Sequence, residues 1–212
     1  MQRSHARSNR ARILSAARQE LARDPEASLA EVARAAGVAR RTLYGHFANR
    51  QALLDALAEE ARGALEEAFA QARLDAPPLT ALARMTLAAW GVGDRYRMLL
   101  SLARRDLGEA RVREILTPAR QEAASILERG MREGVFVDHL PAPVLAHALE
   151  SLTLALVEHA DAPDWPDPTG EAAAATVLMA AGVAPPEAHH HAKAAQTPSR
   201  SRLPNQILDG ND

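Results

Sequence analysis

The chain has 212 residues and a net charge of −2, enough length for one or two domains around a substantial buried core. Hydrophobic residues make up 47% but aromatic ones only 3%, so the core must be built from Ala, Leu and Val, a composition that favours helices. Cysteine is absent, which excludes disulfides, thiolate metal sites and cysteine nucleophiles; no run of 18 apolar residues exists, which excludes a spanning helix.

The charge is unevenly spread. The first 50 residues hold ten arginines against four acids (Glu20, Asp24, Glu26 and Glu31), while the remainder carries a balance of −8. A basic head on an acidic body is the pattern of a head that meets a polyanion. The basic start is followed by no apolar stretch of the signal-peptide type, so a cytoplasmic protein without membrane contact is expected.

Residues 1–9 read as a flexible basic arm. From Arg10 a helix is expected, with Ile13, Ala17 and Leu21 on one face, ending at Asp24-Pro25. Ser28-Leu29-Ala30-Glu31 matches a capping box that opens a second helix, and Gly37 stops it. A short third helix covers about 39–45. Asn49 caps a fourth, with Leu53, Leu57, Ala61, Leu65 and Phe69 along one stripe, about five turns long. Pro77-Pro78 breaks the chain, and helices are expected over 79–91, 94–107, 109–116 and 118–133, with Thr117-Pro118 as cap and first turn and Gly134 as terminator. Two longer helices, 142–160 and 168–182, are joined by a proline-rich loop. Residues 185–212, rich in Pro, Ala, Ser, Asn and His, read as disordered, with His189, His190 and His191 inside that tail. Nothing alternates with period two. The expected fold is all-α with about nine helices: a helix-turn-helix domain over 10–50 and a larger helical body over 51–184.

The segment 28–50 reads as helix, glycine-containing turn and short helix, the arrangement that lays its second helix in a major groove. The N-terminal side chains of that helix, Arg40, Arg41 and Thr42, followed by Tyr44 and His46, are then the candidates for double-stranded DNA. Arginine reads guanine best, at ~1–3 kcal/mol of discrimination per bidentate contact.

Here the chain resembles the tetracycline-repressor family of bacterial regulators, through Ile13, Ala16, Ala17, Val32, Ala33, Ala36-Gly37-Val38, Thr42-Leu43-Tyr44, His46-Phe47 and Leu53-Leu54. The resemblance implies that Thr42 and Tyr44 contact phosphates or base edges, that His46 reaches a phosphate, and that Phe47 anchors the core behind the recognition helix. Arg50 stands where the family usually has lysine, near a phosphate. Ala39 replaces the family's common serine cap, and Gly45 loosens the helix end.

The resemblance also gives the body two jobs. One is homodimerisation, so that two heads read a palindrome; the expected interface is Leu145, Leu149, Leu152 and Leu156 with Val177 and Leu178, although the same faces alternatively fill the protomer's own core. The other is sensing of a small-molecule effector among the middle helices, with Met85, Trp90, Tyr96, Met98, Leu102, Ile115 and Ile126 as candidate lining. The implied function is a ligand-responsive repressor. The competing reading is a constitutive DNA-binding or adaptor protein whose body only dimerises or recruits a protein. No phosphate loop, H-E-x-x-H helix or G-x-S-x-G elbow occurs, so neither enzyme nor cofactor is expected.

Overall fold

The computed structural model describes residues 2–72, 76–160, 162, 165 and 167–196. Among these there are nine α-helices and no strand: α1 (Gln2–Arg23), α2 (Leu29–Ala35), α3 (Arg40–His46), α4 (Arg50–Ala72), α5 (Pro78–Asp106), α6 (Glu109–Arg132), α7 (Ala142–Glu158), α8 (Glu171–Ala180) and α9 (Pro185–Gln196).

Helices α1 to α3 form the head. Ile13, Leu14, Ala17 and Leu21 of α1 bury against Val32 and Ala33 of α2, Leu43 of α3, Phe47, and Leu53, Leu54 and Leu57 of α4. The capping box of α2 is complete: the Ser28 backbone N–H donates to Glu31 Oε2 at 2.8 Å and the Glu31 N–H donates to Ser28 Oγ at 3.3 Å. Gly37 closes α2 at φ +62°, where the Val38 N–H reaches the Ala33 carbonyl. Asn49 caps α4 through the Ala52 N–H at 2.8 Å.

In the body, α5 is the central element, packing against α1, α4, α6, α7, α8 and α9. The main core joins Leu82 and Met85 of α5 to Ile126 and Leu127 of α6, Leu145 and Leu149 of α7, and Val177 and Leu178 of α8. A smaller cluster gathers Trp90, Val157 and Ala173, with Trp165 edge-on to Trp90 at 5.8 Å between ring centroids.

Four expectations about the elements are corrected. Residues 2–9 continue α1 rather than forming an arm; no glycine or proline occurs before Pro25 to stop the helix. Helix α5 runs unbroken through Gly91 and Gly93, because Gly93 is a contact point: a Cβ there would lie 2.9 Å from Val157 of α7. Pro118 lies inside α6, where one backbone bond is forfeited but Ile115 and Ala123 bury on either side of it. Finally, 185–196 is helix α9, whose Ala188 and Ala192 are fully buried, Ala192 clustering with Ala174 and Ala175 of α8. Alanine on both surfaces lets the two helices approach closely. His189, His190 and His191 therefore sit on a helix, and no group of three metal-ligating side chains occurs among the described residues. The expected tail beyond 196 lies outside the described residues.

Candidate DNA-binding face and internal cavity

The second helix of the helix-turn-helix is positioned from behind. Leu43 and Phe47 are buried, and Arg12 of α1 donates to the carbonyls of Ala36 (2.7 Å) and Gly37 (3.2 Å), tying α1 to the turn. On the outer side Arg40 and Arg41 are exposed, Thr42 and His46 are half-buried, and Tyr44 is 52% exposed. The start of α3 has no side-chain cap, since Ala39 supplies none. The sequence thus brings five of its six candidates to one outward helix.

Arg50 is the exception. Its guanidinium faces the protein, donating to the carbonyls of Ala27 (2.8 Å) and Pro25 and to Asp106 Oδ2 at the end of α5 (3.4 Å). It is a staple between the α1–α2 turn and the body, and its fork is filled by acceptors that chain-order reasoning cannot see. Arg105 adds a bridge to Glu26 at 2.7 Å and holds the Asp106 carboxyl below its ordinary range, with Arg50 contributing less.

A second junction joins head, connector and body. Arg18 of α1 pairs with Glu60 of α4 at 2.5 Å, and the Tyr96 hydroxyl of α5 donates to the same carboxylate oxygen at 2.8 Å. The Arg18 guanidinium also lies over the Tyr96 ring. Burial first, and then the Glu60 carboxylate it serves, push the Tyr96 phenol above its usual 10.0.

Tyr96 also lines a partly open cavity of about 170 Å³ among α4, α5, α6, α7 and α8. At roughly 10–15 Å³ of such space per water, this volume exceeds that of a few ordered waters. The wall is aliphatic, with only Phe69 and Tyr96 contributing rings. Of the candidates, Met85, Tyr96 and Ile115 line it; Trp90, Met98, Leu102 and Ile126 do not. Trp90 packs on Gly170 and Trp165, Met98 is exposed, Leu102 belongs to the head–body core, and Ile126 faces the main core. Scarcity of aromatics and methionines marked these residues, but the wall is made of leucine and alanine.

Residues 13–57, the span from α1 to the first turns of α4, match the model of bacterial regulatory proteins of the tetR family. Over this segment the chain is similar to that family. None of the curated proteins matches it by sequence. Solved structures of bacterial regulatory proteins share the fold. A tetR-family regulatory protein from Rhodococcus RHA1 is 21% identical with a TM-score of 0.71, covering 83% of this chain and 98% of that one. FadR from Bacillus subtilis, solved with stearoyl-CoA, is 20% identical with a TM-score of 0.67 over 79% of this chain and 95% of its own. LfrR from Mycobacterium smegmatis, solved with proflavine, is 22% identical with a TM-score of 0.64 over 86% and 97%.

The residues expected at the dimer face are mostly taken up by the protomer's own core. Leu145, Leu149, Val177 and Leu178 are buried inside the protomer, and Leu152 and Leu156 are half-buried. What α7 turns outward is Val144, His147, Ala148, Ser151 and Ala155, spaced three and four apart along one stripe. The periodicity of α7 shows that it has an apolar face; it does not say that this face is already covered by α6 and α8. Among the described residues no helix is long and apolar enough to cross a membrane.

Proposed function

We propose that the chain is a tetR-family regulator, a ligand-responsive repressor that binds a palindromic operator as a homodimer. The observation that carries the reading is that one residue, Tyr96, both lines the cavity and holds the head through Glu60 and Arg18 with its hydroxyl. Occupation of the cavity displaces that side chain, and the displacement reaches α1 through two polar contacts. The relatives solved with stearoyl-CoA and proflavine support a ligand role for the body.

Arg40, Arg41 and Tyr44 supply base-edge and phosphate contacts, with Thr42 and His46 at the edge of the same face. One α3 reads one half-site. A second copy of the chain, joined along the outward stripe of α7, places another recognition helix about 34–36 Å away, one turn of B-DNA. The domain limits then become a head over about 2–50 and a body from 51 to at least 196.

Selection of bound duplexes from a random library, followed by sedimentation of the winning complex, tests this. A palindrome bound by two protomers is expected, and Ala148→Glu is expected to give one protomer per duplex at much lower affinity. Enrichment of a non-palindromic site by a single protomer would refute the dimer; no enrichment at all would refute the regulator.

A further inference from the structure

The cavity wall carries five polar side chains, Thr86, Tyr96, Arg120, Glu150 and Thr153. Each is already engaged within the protein. Thr86 Oγ1 donates to the Leu82 carbonyl at 2.9 Å and Thr153 Oγ1 to the Leu149 carbonyl at 2.8 Å, both one turn back on their own helices. The Tyr96 hydroxyl donates to Glu60. Arg120 of α6 and Glu150 of α7 form a bidentate pair, Nε to Oε2 and Nη2 to Oε1, both at 3.0 Å. The two opposite charges on the wall thus cancel each other in a fork-to-fork geometry, which strongly favours the pair over separate partners.

We infer that the effector of this cavity is a neutral, largely aliphatic molecule, and that the Arg120–Glu150 pair enforces neutrality by leaving neither a cation for an anionic ligand nor a carboxylate for a cationic one. The inference rests on the ligand-responsive reading above and names the ligand class of the same site. A charged head group entering the cavity has to give up its water against leucine and alanine side chains or break the bidentate pair, and either loss is paid in affinity. A neutral chain gains from the aliphatic wall at each methylene.

The test uses the full chain and three probes of matched length, each below its micelle-forming concentration at neutral pH: 1-decanol, decanoate and decylammonium. Thermal shift and titration calorimetry report binding. Decanol is expected to bind, with both charged congeners at least about tenfold weaker. Glu150→Gln keeps the shape of the side chain but leaves Arg120 uncompensated, so decanoate is expected to gain about tenfold relative to decanol. Arg120→Met is the mirror variant, in which decylammonium gains; it serves where the first fails to fold. Equal or tighter binding of either charged probe to the native chain overturns the inference, as does failure of all three to bind, or an unchanged probe ranking in a folded variant. Operator affinity measured with decanol present separates the two readings. Decanol that binds without weakening the DNA complex leaves the neutral site standing and removes the ligand-responsive reading.

Discussion

Replacement of Tyr96 by Phe removes one hydroxyl and leaves the ring, and hence the cavity wall, in place. The lost bond runs to a carboxylate at 2.8 Å. Hydrogen bonds to charged groups contribute about 1.5–3 kcal/mol. Glu60 is about a third exposed and keeps Arg18, so solvent screening brings the expected loss down to about 1 kcal/mol. Glu60→Ala loses the Tyr96 and Arg18 contacts together, at about 2 kcal/mol. In the double variant the Tyr96 contact cannot be lost twice. Its cost should therefore stay near 2 rather than 3 kcal/mol, an interaction of about 1 kcal/mol in a double-mutant cycle. Urea unfolding of the four proteins followed by far-ultraviolet circular dichroism measures it. Additivity within about 0.3 kcal/mol would show that Tyr96 and Glu60 do not act as a unit, and the proposed route from cavity to head would be lost.

Arg40→Ala and Arg50→Ala are expected to separate reading from holding. The first leaves the melting temperature unchanged and weakens the selected operator by ~1–3 kcal/mol with little effect on random duplex; the second removes bonds to two carbonyls and Asp106, costs about 2 kcal/mol, and lowers the melting temperature by roughly 4–8 °C. Ser28→Ala breaks half of the capping box and is expected to cost ~1 kcal/mol, about 2–4 °C by circular dichroism; an unchanged melt would mean that α2 is held by its buried face alone. On the acid side, Glu31 is lowered from 4.5 mainly by the Ser28 N–H, Glu59 from 4.5 mainly by Arg62, and Asp106 from 3.8 mainly by Arg105. Carboxyls lowered in the folded state contribute stability that is present above their unfolded values and lost as pH falls through the folded ones. The melting temperature is therefore expected to be level down to about pH 4.5 and to fall below it, and Glu31→Gln to shrink that fall.

The head was legible because its signals are local. A serine three residues before a glutamate, a glycine at the turn and an asparagine before a long stripe each act within one helical turn, and all three appear where the pattern puts them. The body resisted because its deciding contacts are remote in sequence. Gly93 looks like part of a break until Val157 is seen to need the space; Pro118 looks like a first turn until both flanks are found buried. Ten expected segments became nine helices among the described residues through two fusions and the addition of α9, so the match to the expected total of about nine conceals three differences. Arg50 shows the same limit at a functional residue. Its charge and position fit a phosphate contact, whereas the carbonyls of Pro25 and Ala27 claim it in the fold. The cavity lining was legible only in part for a kindred reason, since residue rarity marks a side chain as unusual without saying which way it faces.

The chain has only two tryptophans, and both belong to one cluster. Trp90 and Trp165 stand edge to face beside Gly170, whose added Cβ would fall 2.5 Å from the Trp90 ring. Tryptophan emission, excited where tyrosine does not absorb, is therefore a single-site reporter of the segment between α7 and α8, and it is silent about α1 to α3. Melts followed by emission and by ellipticity coincide only when head and body unfold as one cooperative unit. A gap between the two curves would give the stability of the head alone, without separating it from the body.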